Sequence, residues 1–223
     1  MARCSKYFPA ADAADAEGLV GVGGSLSPEW LLDAYRHGIF PWPCDDFEPV
    51  LWWSPDPRAV IEFEHFYISR RMQRTLRSGK FTCTRDRAFR EVITNCGSAP
   101  SRRGGTWLTP EMIAAYCRMH ELGWAHSVET WRDGCLVGGT YGLAIGGLFA
   151  AESMFSLVSD ASKAALTHLV SHLRTQGYML LDIQQLTPHT ASLGATEIPR
   201  REYLRRVRAA VDLPVRFNPA LAT

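Results

Sequence analysis

The stretch CLVGGTYGLAIGGLFAAESMF, residues 135–155, decides the fold. It mixes apolar, β-branched and small residues in alternation and is punctuated by glycines, a pattern typical of strands joined by tight turns. The segment WAHSVETW (124–131) precedes it across an Arg-Asp-Gly turn, and YMLLDIQQL (178–186) follows after a helical segment. A meander, a helix and a further strand predict an α+β domain with a mostly antiparallel sheet.

Capping residues, prolines and glycines predict four helices. Proline at the first helical position and glycine just past the last one are typical signals for the start and the end of a helix. The helices begin after Ser27-Pro28, Thr109-Pro110, Asp160 and Pro199, and the first three end at Gly38, Gly123 and Gly177. Because the chain before about residue 60 is rich in Trp and Pro, we expect a small N-terminal α/β lobe (1–60) and a larger second domain (61–223).

The composition excludes several classes of protein. With 223 residues and 46% hydrophobic content the chain has enough apolar material for one or two cored domains. It begins without an apolar leader and holds no long uncharged apolar run, so we expect a cytoplasmic protein that does not enter a membrane.

The cysteines form no C-x-x-C pair, which favours reduced thiols over a disulfide framework or a zinc site. They are Cys4, Cys44, Cys83, Cys96, Cys117 and Cys135. A nucleophilic cysteine paired with His120 or His126 stays open, although no local motif supports it.

One segment is strongly basic although the chain carries a net charge of +1. Residues 69–90 hold eight Lys and Arg side chains against Asp86 alone. Such density is expected where a protein contacts polyphosphate, and a solvated helix face is the alternative. Arg70, Arg74 and Arg77 would share one helical face, which favours a binding surface.

Asp182 and Gln184 lie two apart near the end of the last predicted strand. In an extended strand they share a face, with Cα atoms about 6.6 Å apart, and can point at one reactant. The alternative is that Asp182 caps the following turn or pairs with an arginine. Glu152 would share a strand face with Leu148, Ala150 and Met154, so we expect an acid among apolar neighbours that awaits a positive ligand or a fixed Arg.

Several longer motifs, in order over residues 18–205, resemble those of the leucyl/phenylalanyl-tRNA-protein transferase family. They are GGSLSPEWLLDAYRHGIFPW (23–42), LWWSPDPRAV (51–60), GTWLTPEMIAAYCRMHELGWAHSVE (105–129), ESMFS (152–156), DASKAAL (160–166) and HTASLGATEIPRREY (189–203). The resemblance implies a small N-terminal domain and a GNAT-like acyltransferase domain. It also implies transfer of Leu, Phe and, less readily, Met from aminoacyl-tRNA to proteins beginning with Arg or Lys, which marks them for degradation.

The resemblance also implies roles for individual residues. Asp182 and Gln184 match a catalytic D-x-Q, in which Gln184 contacts the attacking amine and Asp182 polarises Gln184. Glu152 matches the acid that meets the acceptor's positive N-terminal residue, and Trp42 and Trp107 match aromatics that hold the 3′ adenosine. The implied aminoacyl site comprises Thr140, Phe149, Ala151, Ser153, Leu166, Leu169, Leu173 and Leu181. The implied tRNA-binding residues are Arg70, Arg71, Arg74, Arg77, Lys80, Arg85 and Arg87.

The chain departs from the family pattern at two positions of the implied aminoacyl site. It reads FAAES where F-x-G-E-S is common, and GGTYG where a larger residue precedes YG. Ala151 would narrow the pocket wall and Thr140 would loosen it, so the ranking of Leu, Phe and Met is open.

The implied chemistry needs little from the protein beyond placement. The donor is an activated ester, and the α-amine, with a pKa of about 7.7 to 8.0, is partly neutral at pH 7. Holding ester and amine in attack geometry accounts for roughly 7 to 11 kcal/mol of barrier. We therefore expect no cofactor and no metal. The expected partners are aminoacyl-tRNA and an acceptor protein, and the expected state is a monomer.

Two other functions stay open from the sequence. An acyl-CoA N-acyltransferase would want a Q/R-x-x-G-x-G/A loop before the helix at 161, where the chain reads SLVSDASKAAL without a glycine. A non-catalytic tRNA-binding protein would explain the basic segment and the tryptophans, but gives no reason for Asp182 and Gln184 beside an apolar pocket.

Overall fold

The structure is a computed structural model that describes residues 4–42, 49–98 and 108–218. The helices in these ranges are α1 (Pro28–Arg36), α2 (Arg70–Arg77), α3 (Phe89–Ser98), α4 (Pro110–Glu121), α5 (Ala161–Gln176), α6 (Pro188–Ala191) and α7 (Arg200–Ala210). The strands are β1 (Leu19–Val22), β2 (Phe40–Pro41), β3 (Leu51–Trp53), β4 (Arg58–Ile61), β5 (Thr82–Arg85), β6 (Ala125–Arg132), β7 (Cys135–Ile145), β8 (Leu148–Ser156), β9 (Leu180–Gln184) and β10 (Ala195–Ile198).

Seven strands form the main sheet in the order β10-β4-β9-β8-β7-β6-β5. Every neighbouring pair is antiparallel except β8 and β9, which are parallel. The helix α5 connects these two strands, as a parallel pair requires. The predicted α+β class with a mostly antiparallel sheet is confirmed, and the predicted meander consists of β6, β7 and β8.

The main sheet separates two apolar cores. One face packs against α5, whose Leu166 and Leu169 are fully buried together with Leu181 of β9. The other face packs against α1, α3, α4 and α7, and its core includes Tyr35 and Tyr116. Side chains that alternate along β8 and β9 therefore enter different cores.

A second, three-stranded sheet belongs to the N-terminal part of the chain, in the order β1-β3-β2. Its aromatic side chains pack on one another: the rings of Trp30 and Trp52 lie 6.1 Å apart, and Phe8 lies 4.7 Å from Trp52. Since β4 already pairs with β9 in the main sheet, the chain passes from one sheet to the other between Trp53 and Arg58.

The four predicted helices are present as α1, α4, α5 and α7, and Thr109 caps α4 by accepting a hydrogen bond from the Met112 amide. Asp160 precedes α5 as predicted, but the predicted capping by its side chain is wrong. Asp160 has a left-handed backbone (φ 72°) and makes no side-chain cap hydrogen bond. Its carboxylate lies 3.7 Å from Arg71 instead. The helix α3 was not predicted from the sequence.

Across the described ranges, each helix is too short or too polar to cross a lipid bilayer.

Candidate active site

The end of β9 contains an unusual backbone turn at Gln184. This residue has a positive φ of 58°, and the Gln185 amide donates to the carbonyl of Ile183 at 2.6 Å. An i to i+2 hydrogen bond around a positive φ is a strained γ-turn, and a residue other than glycine adopts it at a cost. The turn breaks the extended strand predicted for 178–186, so Asp182 and Gln184 point toward different partners.

Asp182 is fully buried and all its hydrogen bonds go to the protein. Arg58 on the neighbouring strand donates from Nε to Oδ1 at 2.8 Å and from Nη2 to Oδ2 at 2.7 Å. The Tyr203 hydroxyl donates to Oδ2 at 2.8 Å, and the backbone amide of Gln184 donates to Oδ1 at 3.0 Å. Asp182 therefore fixes the γ-turn through the backbone of Gln184 and has no exposed oxygen for a substrate.

Arg58 is a site residue that was not predicted from the sequence. Its side chain is fully buried, with its guanidinium 4.6 Å from the Phe40 ring and 4.4 Å from the Tyr203 ring. Burial, the largest single effect, lowers the pKa of Arg58, but the charge and hydrogen bonds of Asp182, together with Tyr203 and Glu152, raise it overall. An arginine at the start of an apolar strand, RAVI, is a usable signal, because a buried guanidinium needs an acid partner.

Gly38 allows the helix end and this ion pair to approach each other. It has a positive φ of 77°, and an added Cβ would lie 2.5 Å from Leu204. Its carbonyl accepts a hydrogen bond from Arg58 at 3.4 Å. The predicted helix stop after α1 is therefore also a contact of the site.

Glu152 lies at a β-bulge in β8. The pairing with β7 shifts between Tyr141 and Gly142, so that Ala151 and Ser153 have partners and Glu152 is the extra residue. A Cβ on Gly142 would come within 2.2 Å of the Ala150 carbonyl, which explains the glycine opposite this irregular stretch. Because a bulge interrupts the two-residue alternation, the expectation that Glu152 and Met154 share one face is wrong.

The hydrogen-bond partners of Glu152 are polar side chains that were not predicted as its partners. Gln184 donates from Nε2 to Oε1 at 3.3 Å, and the Tyr116 hydroxyl donates to Oε2 at 3.1 Å. The hydroxyl of Tyr35 lies 2.6 Å from that of Tyr116. Burial raises the pKa of Glu152 to about 8, although the tyrosine hydroxyls stabilise the charged form. Tyr35 and Tyr116, which were not predicted as site residues, thus set the environment of this acid.

Most of the residues expected to form the aminoacyl pocket lie in one core, on the face of the sheet opposite Glu152. Glu152 faces the core that contains Tyr116. A larger group belongs to the core under α5 and comprises Phe149, Ala151, Leu166, Leu169, Leu173 and Leu181. The four leucines are fully buried. Thr140 is buried as well and donates to the carbonyl of Ser153 at 2.9 Å.

The basic segment forms α2, β5 and the turns beside them. Met72 anchors α2 in the core, while the predicted tRNA-binding side chains are all exposed. Within the described ranges, most of them lack a carboxylate partner. Arg71 approaches Asp160, Arg85 lies within hydrogen-bonding distance of His168 at 3.0 Å, and Arg87 lies 5.4 Å from the Trp131 ring. Because α2 presents arginines to solvent and contains no acid, it forms a cationic surface.

Of the two tryptophans expected to hold the 3′ adenosine, one lies within the described residues and the other does not. Trp42 is half-buried and packs against the core that contains Tyr35 and Tyr116. Its carbonyl accepts a hydrogen bond from Trp53 at 2.9 Å. Trp107 lies outside the described residues.

Asp86, His120 and His126 come together although they are far apart in sequence. Their potential ligand atoms lie within 4.8 Å of one another. His126 Nδ1 is 2.7 Å from Asp86, and His120 Nδ1 is 2.8 Å from the Ala125 carbonyl. Asn218 donates a further hydrogen bond to Asp86 at 2.6 Å. The five described cysteines are free thiols, and Cys44 lies outside the described residues.

Comparison with known protein families shows to which family the chain belongs. The model of the leucyl/phenylalanyl-tRNA protein transferase family matches residues 60–208, and that of its N-terminal domain matches residues 24–56. The chain belongs to the leucyl/phenylalanyl-tRNA protein transferase family. The family expected from the sequence motifs, and with it the class of aminoacyltransferases, is confirmed.

Individual members of the leucyl/phenylalanyl-tRNA protein transferase family align over most of the chain. The transferase of Aromatoleum aromaticum is 54% identical over 88% of this chain and 83% of its own length. That of Syntrophotalea carbinolica is 52% identical over 95% of this chain and 92% of its own.

Solved structures with more distant similarity include FemX, at 10% identity and a TM-score of 0.46, covering 81% of this chain and 71% of FemX. A GCN5-related N-acetyltransferase from Kribbella flavida has 13% identity and a TM-score of 0.39, covering 78% of this chain and 61% of that one.

Proposed function

We propose that this chain transfers Leu, Phe and, less readily, Met from aminoacyl-tRNA to the α-amine of proteins that begin with Arg or Lys. It would act as a monomer in the bacterial cytoplasm and mark its acceptors for degradation. The observation that carries this proposal is the contact between Gln184 and Glu152, 3.3 Å apart. This contact joins the side chain of Gln184, on the strained turn, to the half-buried acid Glu152. Both residues belong to sequence motifs that resemble those of the family.

Acceptor binding is assigned to Glu152. Its carboxyl accepts hydrogen bonds from Tyr116 and Gln184, and the residue as a whole is half-buried. A cation next to this carboxyl would replace lost hydration with a charge-assisted hydrogen bond. An acceptor with a positively charged N-terminal residue supplies such a cation.

Gln184 is assigned to the attacking amine and Asp182 to the support of Gln184. The amide of Gln184 offers both a donor and an acceptor, so it can orient the amine while it contacts Glu152. Asp182 acts through the backbone amide of Gln184, at 3.0 Å, and is a positioning residue. The family resemblance implied instead that Asp182 polarises the Gln184 side chain. In the structure the Asp182 oxygens accept hydrogen bonds from Arg58, Tyr203 and the Gln184 backbone amide.

The tRNA is assigned to the cationic surface of α2 and β5. Its exposed arginines and Lys80 mostly lack acid partners within the described part of the chain, which leaves them available to phosphates. Such contacts position a nucleic acid without reading its sequence. The aminoacyl end, held near Trp42, would place its ester next to Gln184.

A transfer assay with four substrate mixtures tests the proposal. Labelled Leu-tRNA with an Arg-starting peptide should yield the amide product, and the same peptide with an acetylated α-amine should not. Leu-CoA should not replace Leu-tRNA; product from it would instead support an acyl-CoA-dependent enzyme. Retention of Leu-tRNA without any product would support a binding protein.

A matched pair of variants ties the activity to the site. Gln184→Ala should lower the single-turnover rate on the order of 10²-fold, within the range for positioning and general acid-base groups. Gln185→Ala changes the exposed neighbour and should leave the rate unchanged. Equal rates in the two variants would remove Gln184 from the reaction.

A further inference from the structure

An open pocket of about 480 Å³ lies between α5, the end of β5 and the last described residues of the chain. The residues that matter here are Arg85 from β5 and His168, Ser171, His172 and Gln176 from α5. All the described side chains of the lining are polar, and there is no carboxylate among them. The pocket is separate from the site around the γ-turn, which contributes no residue to its described lining.

Arg85 gives the pocket a cation that no described acid pairs with. The side chain is exposed, and its Nη1 lies 3.0 Å from Nε2 of His168. Because arginine can only donate, His168 accepts this hydrogen bond and its ring is neutral. The guanidinium therefore keeps its charge, and most of its five N–H donors remain for another group.

Two carboxylates near the pocket are engaged elsewhere. Asp86 accepts a hydrogen bond from the Ser127 backbone amide at 2.9 Å, and His126 Nδ1 lies 2.7 Å from it. Glu129 is fully buried and accepts a hydrogen bond from the Ser127 hydroxyl. Since neither carboxylate lines the pocket, the charge of Arg85 favours an anionic ligand.

The two histidines of the pocket respond to the same positive charge. Burial lowers the pKa of His168 and of His172, and the charge of Arg85 lowers both further. The groups that act in the opposite direction, without outweighing these, are Glu129, Asp86 and the Phe217 carbonyl. An anion between the rings would raise their pKa values, so that they would take up protons as it binds.

The size and the neutral groups of the pocket favour a phosphate that is part of a nucleic acid. A free phosphate ion would fill only a small part of the pocket. A backbone phosphate brings a ribose on either side, to which the Ser171 hydroxyl and the Gln176 amide can form hydrogen bonds. The planar guanidinium of Arg85 matches two phosphate oxygens at once.

The pocket also continues the cationic surface of α2 and β5. At the start of α5, Asp160 lies 3.7 Å from Arg71 of α2. About two helical turns later, His168 meets Arg85 of β5. These positions are about 12 Å apart along the helix axis, which corresponds to roughly three to four nucleotides of a helical strand. A strand that lies on α2 can therefore reach the pocket.

We propose that the pocket between α5 and β5 binds one backbone phosphate of the aminoacyl-tRNA and the ribose beside it, with Arg85, His168 and His172 as the phosphate contacts. This rests on the proposed function and extends the tRNA contact from the cationic surface to α5. As Arg85 turns to the phosphate, Nε2 of His168 is released and takes up a proton from water. The protonated rings then donate charge-assisted hydrogen bonds to the same phosphate.

Filter binding of Leu-tRNA by two matched variants tests the pocket. Arg85→Gln should weaken binding about 10-fold, as expected for one charge-assisted contact. It should also reduce the salt dependence by about 0.7 to 0.9 in slope. Arg208→Gln removes the same charge from an exposed position of α7, on the other face of the main sheet, and should bind as the wild type does. Equal affinities of the two variants would overturn the proposal.

The pH dependence of binding tests the histidines. Their contribution is complete below the pKa of the free rings and is lost as the pH rises through the raised pKa of the bound rings. Wild-type affinity for Leu-tRNA should therefore increase as the pH falls from about 8 to about 6. The double variant His168→Gln with His172→Gln should lose most of this increase, whereas Arg208→Gln should keep it. A double variant with the wild-type pH profile would contradict the proposal.

NMR signals of the His168 and His172 rings identify the occupant. Leu-tRNA should shift both signals in the wild type and leave them in place in Arg85→Gln, and inorganic phosphate alone should shift neither. Shifts with inorganic phosphate but not with Leu-tRNA would mean a site for free anions and would overturn the proposal, as would no shift with either. Wild-type transfer from Leu-tRNA to the Arg-starting peptide tests the proposed function separately. Its absence would overturn that function, while the binding and NMR results would still decide on the pocket.

Discussion

Arg58 and Asp182 form a two-pronged ion pair across adjacent strands of the main sheet, with donor–acceptor distances of 2.8 and 2.7 Å and both side chains completely buried. The pair fixes the backbone amide of Gln184 at 3.0 Å and so holds the strained turn that carries the site. Two charges removed from water are stabilised by each other, and each is strongly unfavourable alone.

Loss of either charge should therefore destabilise the fold. Arg58→Met or Asp182→Leu should each lower the free energy of unfolding by about 3–5 kcal/mol, because the remaining ion is buried without its partner. The double variant should recover much of that loss and still lack transfer activity. Urea unfolding measures the stabilities, and the transfer assay measures the activity. Additive losses in the double variant would mean that the two residues do not act as a pair.

Strain at Gln184 predicts opposite effects on stability and activity. Gln184→Gly should raise the free energy of unfolding by about 1 kcal/mol, because glycine adopts a positive φ without steric cost. The same change should abolish the hydrogen bond to Glu152 and lower the transfer rate. Asp133→Gly is the control, since Asp133 has a φ of 52° in the β6–β7 turn, away from the site. It should be stabilised similarly and remain fully active; an active Gln184→Gly enzyme would contradict the assignment.

The cationic surface predicts a salt-dependent effect on one donor. Arg70, Arg74 and Arg77 changed together to Ala should weaken binding of aminoacyl-tRNA and reduce its salt dependence, by about 0.7 to 0.9 in slope for each phosphate that the protein no longer neutralises. A minimal aminoacyl-adenosine donor should be used almost as well as by the wild type. The matched control changes Arg174, Arg201 and Arg208 to Ala, which removes the same total charge from other parts of the protein. Equal losses with both donors would exclude the surface as a tRNA site.

Glu152 should also make stability depend on pH. Its pKa is raised from 4.5 to about 8 in the folded chain, so the folded state holds a proton that the unfolded state has lost. This contribution is complete below about pH 4.5 and is lost as the pH rises to about 8. Thermal unfolding should show Glu152→Gln gaining stability over the wild type throughout that interval, then a constant difference above it. A Glu152→Gln curve that runs parallel to that of the wild type would contradict the raised pKa.

The framework of the fold could be predicted from the sequence because its signals are local. The meander, α5 and β9 follow from alternation and from Gly and Pro punctuation. The partners of the site could not be read in the same way, because Arg58 and Asp182 are 124 positions apart and meet only through strand pairing. The bulge at Glu152 and the γ-turn at Gln184 likewise break the two-residue alternation from which faces are assigned. Where the backbone departs from regular geometry, the sequence pattern identifies a candidate site residue but does not predict toward which face of the sheet its side chain points.

Tyr35 reaches the site from α1, in the N-terminal part of the chain, whereas Tyr116 and Glu152 come from the part that follows β4. The acid strength of Glu152 is thus an attribute of the assembled chain. A newly made chain whose α1 has not yet docked would expose Glu152 to water and give it the chemistry of any surface carboxyl. In such an unfinished molecule the hydrogen bonds from Tyr35 through Tyr116 to Glu152 would not yet exist.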